Sequence, residues 1–189
     1  VSFPNDVVPQ LTRAGCNGGA CHGTPKGRNN FRLSLLGFEP REDYEFLTRE
    51  SRGRRFFPAA PERSLLLQKA CGEIPHGGGV RLPKKSDSYE LLKRWIAEGL
   101  SYGPENDPTV ERIEIHPSDR VVSRGGSQQL AVMAFFSDGT SRDVTRVVEY
   151  KANQPDMCSV DHHGLATFED MTGTTSVMIR FQEHVGAFM

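Results

Sequence analysis

The segment Gly15-Cys16-Asn17-Gly18-Gly19-Ala20-Cys21-His22-Gly23 places two thiols and an imidazole within seven residues. A Cys-His pair that follows an upstream Cys is the pattern of covalent c-type haem attachment. Two thiols add to the two vinyl groups of the porphyrin, and the adjacent histidine reaches the iron as its proximal ligand. That makes Cys16 and Cys21 candidate attachment residues and His22 a candidate iron ligand. The usual spacing has two residues between the cysteines; here there are four. Asn17, Gly18 and Gly19 are expected to let the longer loop fold tightly, because Gly and Asn accept positive φ. Two other chemistries stay open on spacing alone. Cys16 and Cys21 could close a small disulfide loop, or they could form half of a zinc site with His22 and either Cys71 or His76.

If haem is bound, its iron needs a sixth ligand. Methionine is common in electron-transfer cytochromes, but all five methionines (133, 157, 171, 178 and 189) lie in the second half of the chain. Within residues 1–105 the candidates are His76, Cys71 and lysines. His76 lies in Ile74-Pro75-His76-Gly77-Gly78-Gly79, where three glycines allow backbone to approach a flat ligand closely. His76 is therefore the expected distal ligand. Imidazole donates to ferric iron better than thioether does, so a reduction potential below that of a His/Met cytochrome is expected. In the run Arg52-Gly53-Arg54-Arg55, Arg54 and Arg55 are the candidates to meet the haem propionates through charge-assisted hydrogen bonds.

These residues need elements to hold them. A helix is expected after Pro40 over Arg41–Leu47, and a short one after Ser64. The clearest runs from Ser86 to Gly99, with Leu91, Leu92, Trp95 and Ile96 on one face. Candidate haem walls are Phe31, Leu33, Leu35, Leu36, Phe38, Leu65, Leu66, Leu91 and Trp95. No convincing strand precedes residue 105. Gly103-Pro104-Glu105-Asn106-Asp107-Pro108-Thr109 reads as a linker. Beyond it the period changes to short strands near 110–115, 130–136, 147–150, 165–168 and 176–181, which suggests a β-sandwich. The expected architecture is thus a mainly α domain over 1–105 followed by an all-β sandwich over 106–189. In the second half His162-His163 reads as a turn, Cys158 as a buried thiol, and nothing reads as catalytic.

Composition sets outer limits. The chain has 189 residues, 37% of them hydrophobic, and a net charge of −1, which speaks against a general nucleic-acid binder. No apolar run is long enough to span a membrane. The average conceals an asymmetry: residues 1–105 carry 16 Lys and Arg against 12 Asp and Glu, whereas residues 106–189 carry 7 against 12. Two ordinary solvated surfaces would account for this; the alternative is that the basic half neutralises an anionic ligand. Without a leader, and with its last residues strand-like, the chain reads as a piece of something longer.

Several strings resemble a known pair of domains. Phe3-Pro4-Asn5-Asp6-Val7-Val8-Pro9, the Cys16–His22 segment and Phe31-Arg32-Leu33-Ser34-Leu35-Leu36-Gly37-Phe38 are similar to the haem domain of large secreted planctomycete proteins. So are Pro61-Glu62-Arg63-Ser64-Leu65-Leu66-Leu67, the Pro75–Gly79 loop and Trp95-Ile96-Ala97-Glu98-Gly99. Related planctomycete cytochrome c domains usually carry a Met-Pro-Pro loop where this chain has His76 and its glycines. Residues 110–189 resemble a bacterial Ig-like domain of group 2, on Gln128–Thr145 and Val160-Asp161-His162-His163-Gly164-Leu165-Ala166. Cys71 and Cys158 stand outside the resemblance. It implies one covalent haem c, an electron carrier rather than an enzyme, and a periplasmic or secreted location. The partner would be a redox protein or another domain of the parent chain, and the Ig-like part a spacer. An alternative is a catalytic or ligand-sensing haem with a labile sixth ligand.

Overall fold

A computed structural model describes all residues, Val1–Met189. The chain divides into two units, Val1–Asp107 and Pro108–Met189. No helix is long and apolar enough to cross a membrane.

The first unit carries four α-helices: α1 (Val8–Arg13), α2 (Pro40–Thr48), α3 (Leu65–Ala70) and α4 (Asp87–Ala97). A π-helical turn at Phe3–Val7 leads into α1. The expectation of a mainly α domain is overturned: the whole chain is 25% helical and 22% strand, and two of the four helices have only six residues. The cause is chemical. Thirteen of the 19 glycines and nine of the 12 prolines fall within residues 1–107, and both residue types interrupt helices. Turns and loops therefore form most of this unit, and side chains must tie them down.

Helix α4 organises the core. Ser86 caps it by accepting a hydrogen bond from the Tyr89 N–H, and Leu92, Trp95 and Ile96 are fully buried. Trp95 meets Phe3 and Phe56 at ring separations of 5.4 and 5.5 Å, and its indole N–H donates to the Ser101 carbonyl at 2.7 Å. The start and end of the unit meet as well: the Phe3 N–H donates to the Tyr102 carbonyl, and the Ser2 hydroxyl donates to the Asp107 carboxylate. A polar relay then joins α4 to α1. Arg13 donates to the Ser88 hydroxyl at 3.0 Å, and Ser88 donates to Gln10 Oε1 at 2.6 Å.

The second unit is all β. Its nine strands are β1 (Val110–His116), β2 (Ser127–Gln129), β3 (Ala131–Phe136), β4 (Ser141–Asp143), β5 (Glu149–Ala152), β6 (Cys158–Val160), β7 (Leu165–Phe168), β8 (Val177–Phe181) and β9 (His184–Phe188). They form three antiparallel sheets in the orders β1-β3-β4, β2-β7-β6 and β5-β8-β9. These three small sheets are compatible with the expected Ig-like β part, and β2, β4 and β6 have only three residues each. Alternation along β3 and β8 buries Val132, Ala134, Ile179 and Phe181 in one core with Leu130 and Cys158. Gly164 has φ +82°, and a Cβ there would lie 2.9 Å from the Leu130 carbonyl, so this turn admits little else.

Trp95 is the only tryptophan, so its fluorescence reports the first unit alone. Leu92→Ala is expected to cost that unit about 3 kcal/mol in chemical denaturation of the full chain. A loss below about 1 kcal/mol would show that the α4 face is not sealed.

Candidate functional site

The loop carrying Cys16, Cys21 and His22 hangs from α1. The Cys16 N–H donates to the Leu11 carbonyl at 2.9 Å, and the His22 N–H returns to the Cys16 carbonyl at 3.0 Å. Asn17 is buried and donates from Nδ2 to the Thr12 hydroxyl at 2.8 Å. The loop does not turn in the expected way. Positive φ falls on Gly15 rather than on Asn17, Gly18 or Gly19. Closure depends on Gly23, where a Cβ would lie 1.9 Å from the Asn17 carbonyl oxygen.

The loop carrying His76 leaves α3 after Ala70 and returns to it. The Arg81 and Leu82 N–H groups both donate to the Ala70 carbonyl, at 2.8 and 3.0 Å. His76 is thereby held at the end of a short excursion from the helix.

Both loops face one cavity of about 340 Å³, which Cys16, Cys21, His22 and His76 all line. That volume lies within the range of small-molecule and cofactor sites. The imidazole rings of His22 and His76 are 6.3 Å apart, with planes within 7° of parallel. Nδ1 of His22 lies 3.0 Å from the Phe31 carbonyl, and Nδ1 of His76 lies 2.9 Å from the Gly79 carbonyl. A carbonyl only accepts, so each Nδ1 must carry the proton. Each Nε2 then keeps its lone pair for a ligand. An imidazole nitrogen sits about 2 Å from a bound transition metal and about 1 Å from its own ring centroid, so two rings on opposite sides of one ion, each nitrogen aimed at it, are separated by about 6 Å. The observed separation fits.

Apolar walls come from Leu11, Phe31, Leu65, Leu66, Ala70 and Leu82. Of the expected walls, Leu33 and Trp95 are core residues, while Leu35 and Phe38 are more than half exposed. Every charged side chain lining the cavity is cationic: Arg28, Arg54, Arg55, Lys69 and Arg81. Arg54 and Arg55 differ in what they can do. Arg55 is buried and donates to the Phe46, Glu50 and Asn30 carbonyls, at 2.8, 3.0 and 2.8 Å. Its guanidinium also lies over the Phe31 ring. It braces the ring against which His22 packs at 4.3 Å, and both of its Nη groups are already engaged. Arg54 is exposed at the lining.

Three cations that sequence reasoning missed repeat this pattern. Arg28 donates to the Ala20 carbonyl between the two cysteines, Lys69 to the Pro75 carbonyl before His76, and Arg81 to the Gly78 carbonyl after it. No motif marks them. The only signal available was their closeness in sequence to the site loops.

Burial raises the Cys16 thiol to about 11, with the neighbouring Cys21 adding to the rise and the Arg81 charge acting against it. Cys16 is therefore a neutral thiol near pH 7. Burial lowers His22 below the ordinary histidine value; the Phe31 hydrogen bond opposes this, and His76, Arg55 and Arg28 add to it. Cys16 and Cys21 are not joined in a disulfide. No three His, Cys, Asp or Glu side chains converge closely enough to hold a metal ion among themselves. Cys71 does not line the cavity, and its thiol lies 3.6 Å from the Gln68 carbonyl. What remains is two thiols and two open imidazole nitrogens around an apolar cavity with a cationic lining. That donor set fits a flat, dianionic, iron-bearing ligand such as haem c. In comparisons with known proteins, the chain matches no protein-family model and no curated protein.

Because the folded state disfavours protonated His22, the unfolded chain takes up that proton first as pH falls. The stability linked to this residue is present above about pH 6.5 and is lost as pH falls through the lowered folded value. In denaturation of the haem-free full chain, His22→Gln is expected to lose less stability between about pH 7.5 and about pH 5.5 than the parent does. Equal losses would contradict the lowered value.

Proposed function

We propose that residues 1–107 carry one covalent haem c and serve as an electron-transfer unit outside the cytoplasm, with the all-β residues 108–189 as a spacer. One observation carries this reading. Both imidazoles give their Nδ1 protons to backbone carbonyls and keep their Nε2 lone pairs, in a cavity that two unpaired thiols also line.

The residues divide the work. Cys16 and Cys21 fasten the group through thioethers. His22 and His76 would hold the iron through Nε2. Arg54, with Arg28 and Arg81, offers positive charge to the propionates, while Arg55 braces Phe31. Leu11, Leu65, Leu66 and Leu82 keep water from the ring faces. Bound haem would supply one-electron redox chemistry. Two imidazoles lower its potential relative to a His/Met pair, and the cationic lining raises it.

This site stands on loops rather than on a mainly helical cytochrome framework. Its position outside the cytoplasm follows from the covalent attachment. The partner is a redox protein or another domain of the parent protein.

Expression of the full chain with a haem-maturation system tests this reading. A denatured intact mass increased by one haem, together with a low-spin spectrum, is expected. His76→Ala should keep the added mass and turn the spectrum high-spin. A colourless parent protein would remove the haem reading, and an unchanged spectrum in His76→Ala would remove His76 from the iron.

A further inference from the structure

The Arg81 side chain is bonded to one loop and stands beside another. Its backbone N–H is fixed to the Ala70 carbonyl at the end of α3. Its Nε donates to the Gly78 carbonyl at 2.7 Å, two residues beyond His76. Its Nη1 lies 3.6 Å from where a Cβ on Gly15 would stand, next to Cys16. The guanidinium thus lies between the loop that bears His76 and the loop that bears Cys16, and it lines the cavity with both residues.

Few other contacts hold the His76 loop. The Nδ1 bond to Gly79 is internal to it. Gly77, Gly78 and Gly79 give the segment little stiffness of its own. On the ascending side the Ile74 N–H donates to the Gln68 carbonyl, Lys84 pairs with Glu73, and Lys69 donates to the Pro75 carbonyl; beyond His76 the tie from a side chain is that of Arg81 to Gly78. A hydrogen bond from a charged donor is stronger than a neutral one. The guanidinium holds Nε on the Gly78 carbonyl while Nη1 stands beside Gly15, a spacing that the single nitrogen of an ammonium does not reproduce.

We propose that Arg81 is a positioning residue that latches the His76 loop to the Cys16 loop, and so sets how readily Nε2 of His76 leaves the iron. The proposal rests on the haem reading above. It assigns to one exposed side chain the choice between a closed electron carrier and a site open to external ligands.

The test uses the full chain with covalent haem as parent, Arg81→Gln, Arg81→Lys and Lys85→Gln, with cyanide as the probe. Lys85 is exposed and does not line the cavity. Arg81→Gln is expected to bind cyanide about tenfold faster than the parent, as loss of one charge-assisted hydrogen bond implies. Arg81→Lys is expected to be faster than the parent too, because it restores the charge without the fork. Lys85→Gln is expected to match the parent. In the haem-free chain, amide hydrogen exchange at Gly79, whose N–H donates to the His76 carbonyl, is expected to rise in Arg81→Gln.

Parent-like cyanide rates and parent-like exchange in Arg81→Gln would overturn the latch. So would full restoration of the parent rate by Arg81→Lys, since charge alone would then be enough. A parent chain that takes up no haem, or whose spectrum is high-spin, instead removes the haem or His76 reading on which the latch rests. That failure appears in the parent before any variant is compared.

Discussion

Two hydrogen bonds from imidazole to backbone carbonyl govern the site. A carbonyl oxygen cannot donate, so Phe31 and Gly79 dictate where the proton sits on His22 and on His76. With Nδ1 protonated, Nε2 is the only ring nitrogen able to bind a metal. Two such rings lie 6.3 Å apart, nearly parallel, in one cavity. The remaining features of the first unit serve to keep those two carbonyls in place. Arg55 and His22 pack on the Phe31 ring, and α3 anchors the loop that presents Gly79.

A unit built mostly of turns needs another source of order than helix ladders. Here cations on carbonyls provide part of it. The Ala20, Asn30, Pro75 and Gly78 carbonyls each accept from a different basic side chain, and each lies in or beside a loop that bears a site residue. The arrangement has an electrostatic consequence. Five positive groups line the cavity with no carboxylate among them, which favours an anionic ligand and would cost stability in its absence. Part of the positive balance of the first half, legible in composition, is therefore concentrated at the site.

The residues that gather at the cavity were easier to single out in the sequence than the frame that holds them. Cys16, Cys21, His22 and His76 could be singled out because reactive side chains at close spacing are rare. Helix α4 was visible because its apolar period is strong and Ser86 and Gly99 punctuate it. The helical extent of the first unit was overestimated, since short apolar runs such as Leu65–Leu67 look the same in a six-residue helix as in a long one. Turn Phe3–Val7 and helix α1 carry prolines at positions 4 and 9 that break the periodic signal, although proline suits a first helical turn. Arg55 looked like a free cation because sequence does not reveal that Phe46, Glu50 and Asn30 would present carbonyls to it. Strands β2, β4 and β6, with three residues each, are too short to show alternation.

The most direct measurement is low-temperature electron paramagnetic resonance of the ferric, haem-loaded full chain. The shape of a low-spin signal depends on the angle between the two axial imidazole planes. Rings within 7° of parallel should give a rhombic low-spin spectrum. A highly anisotropic signal of the kind perpendicular rings produce would contradict the geometry, and a high-spin signal would contradict the shared ion itself.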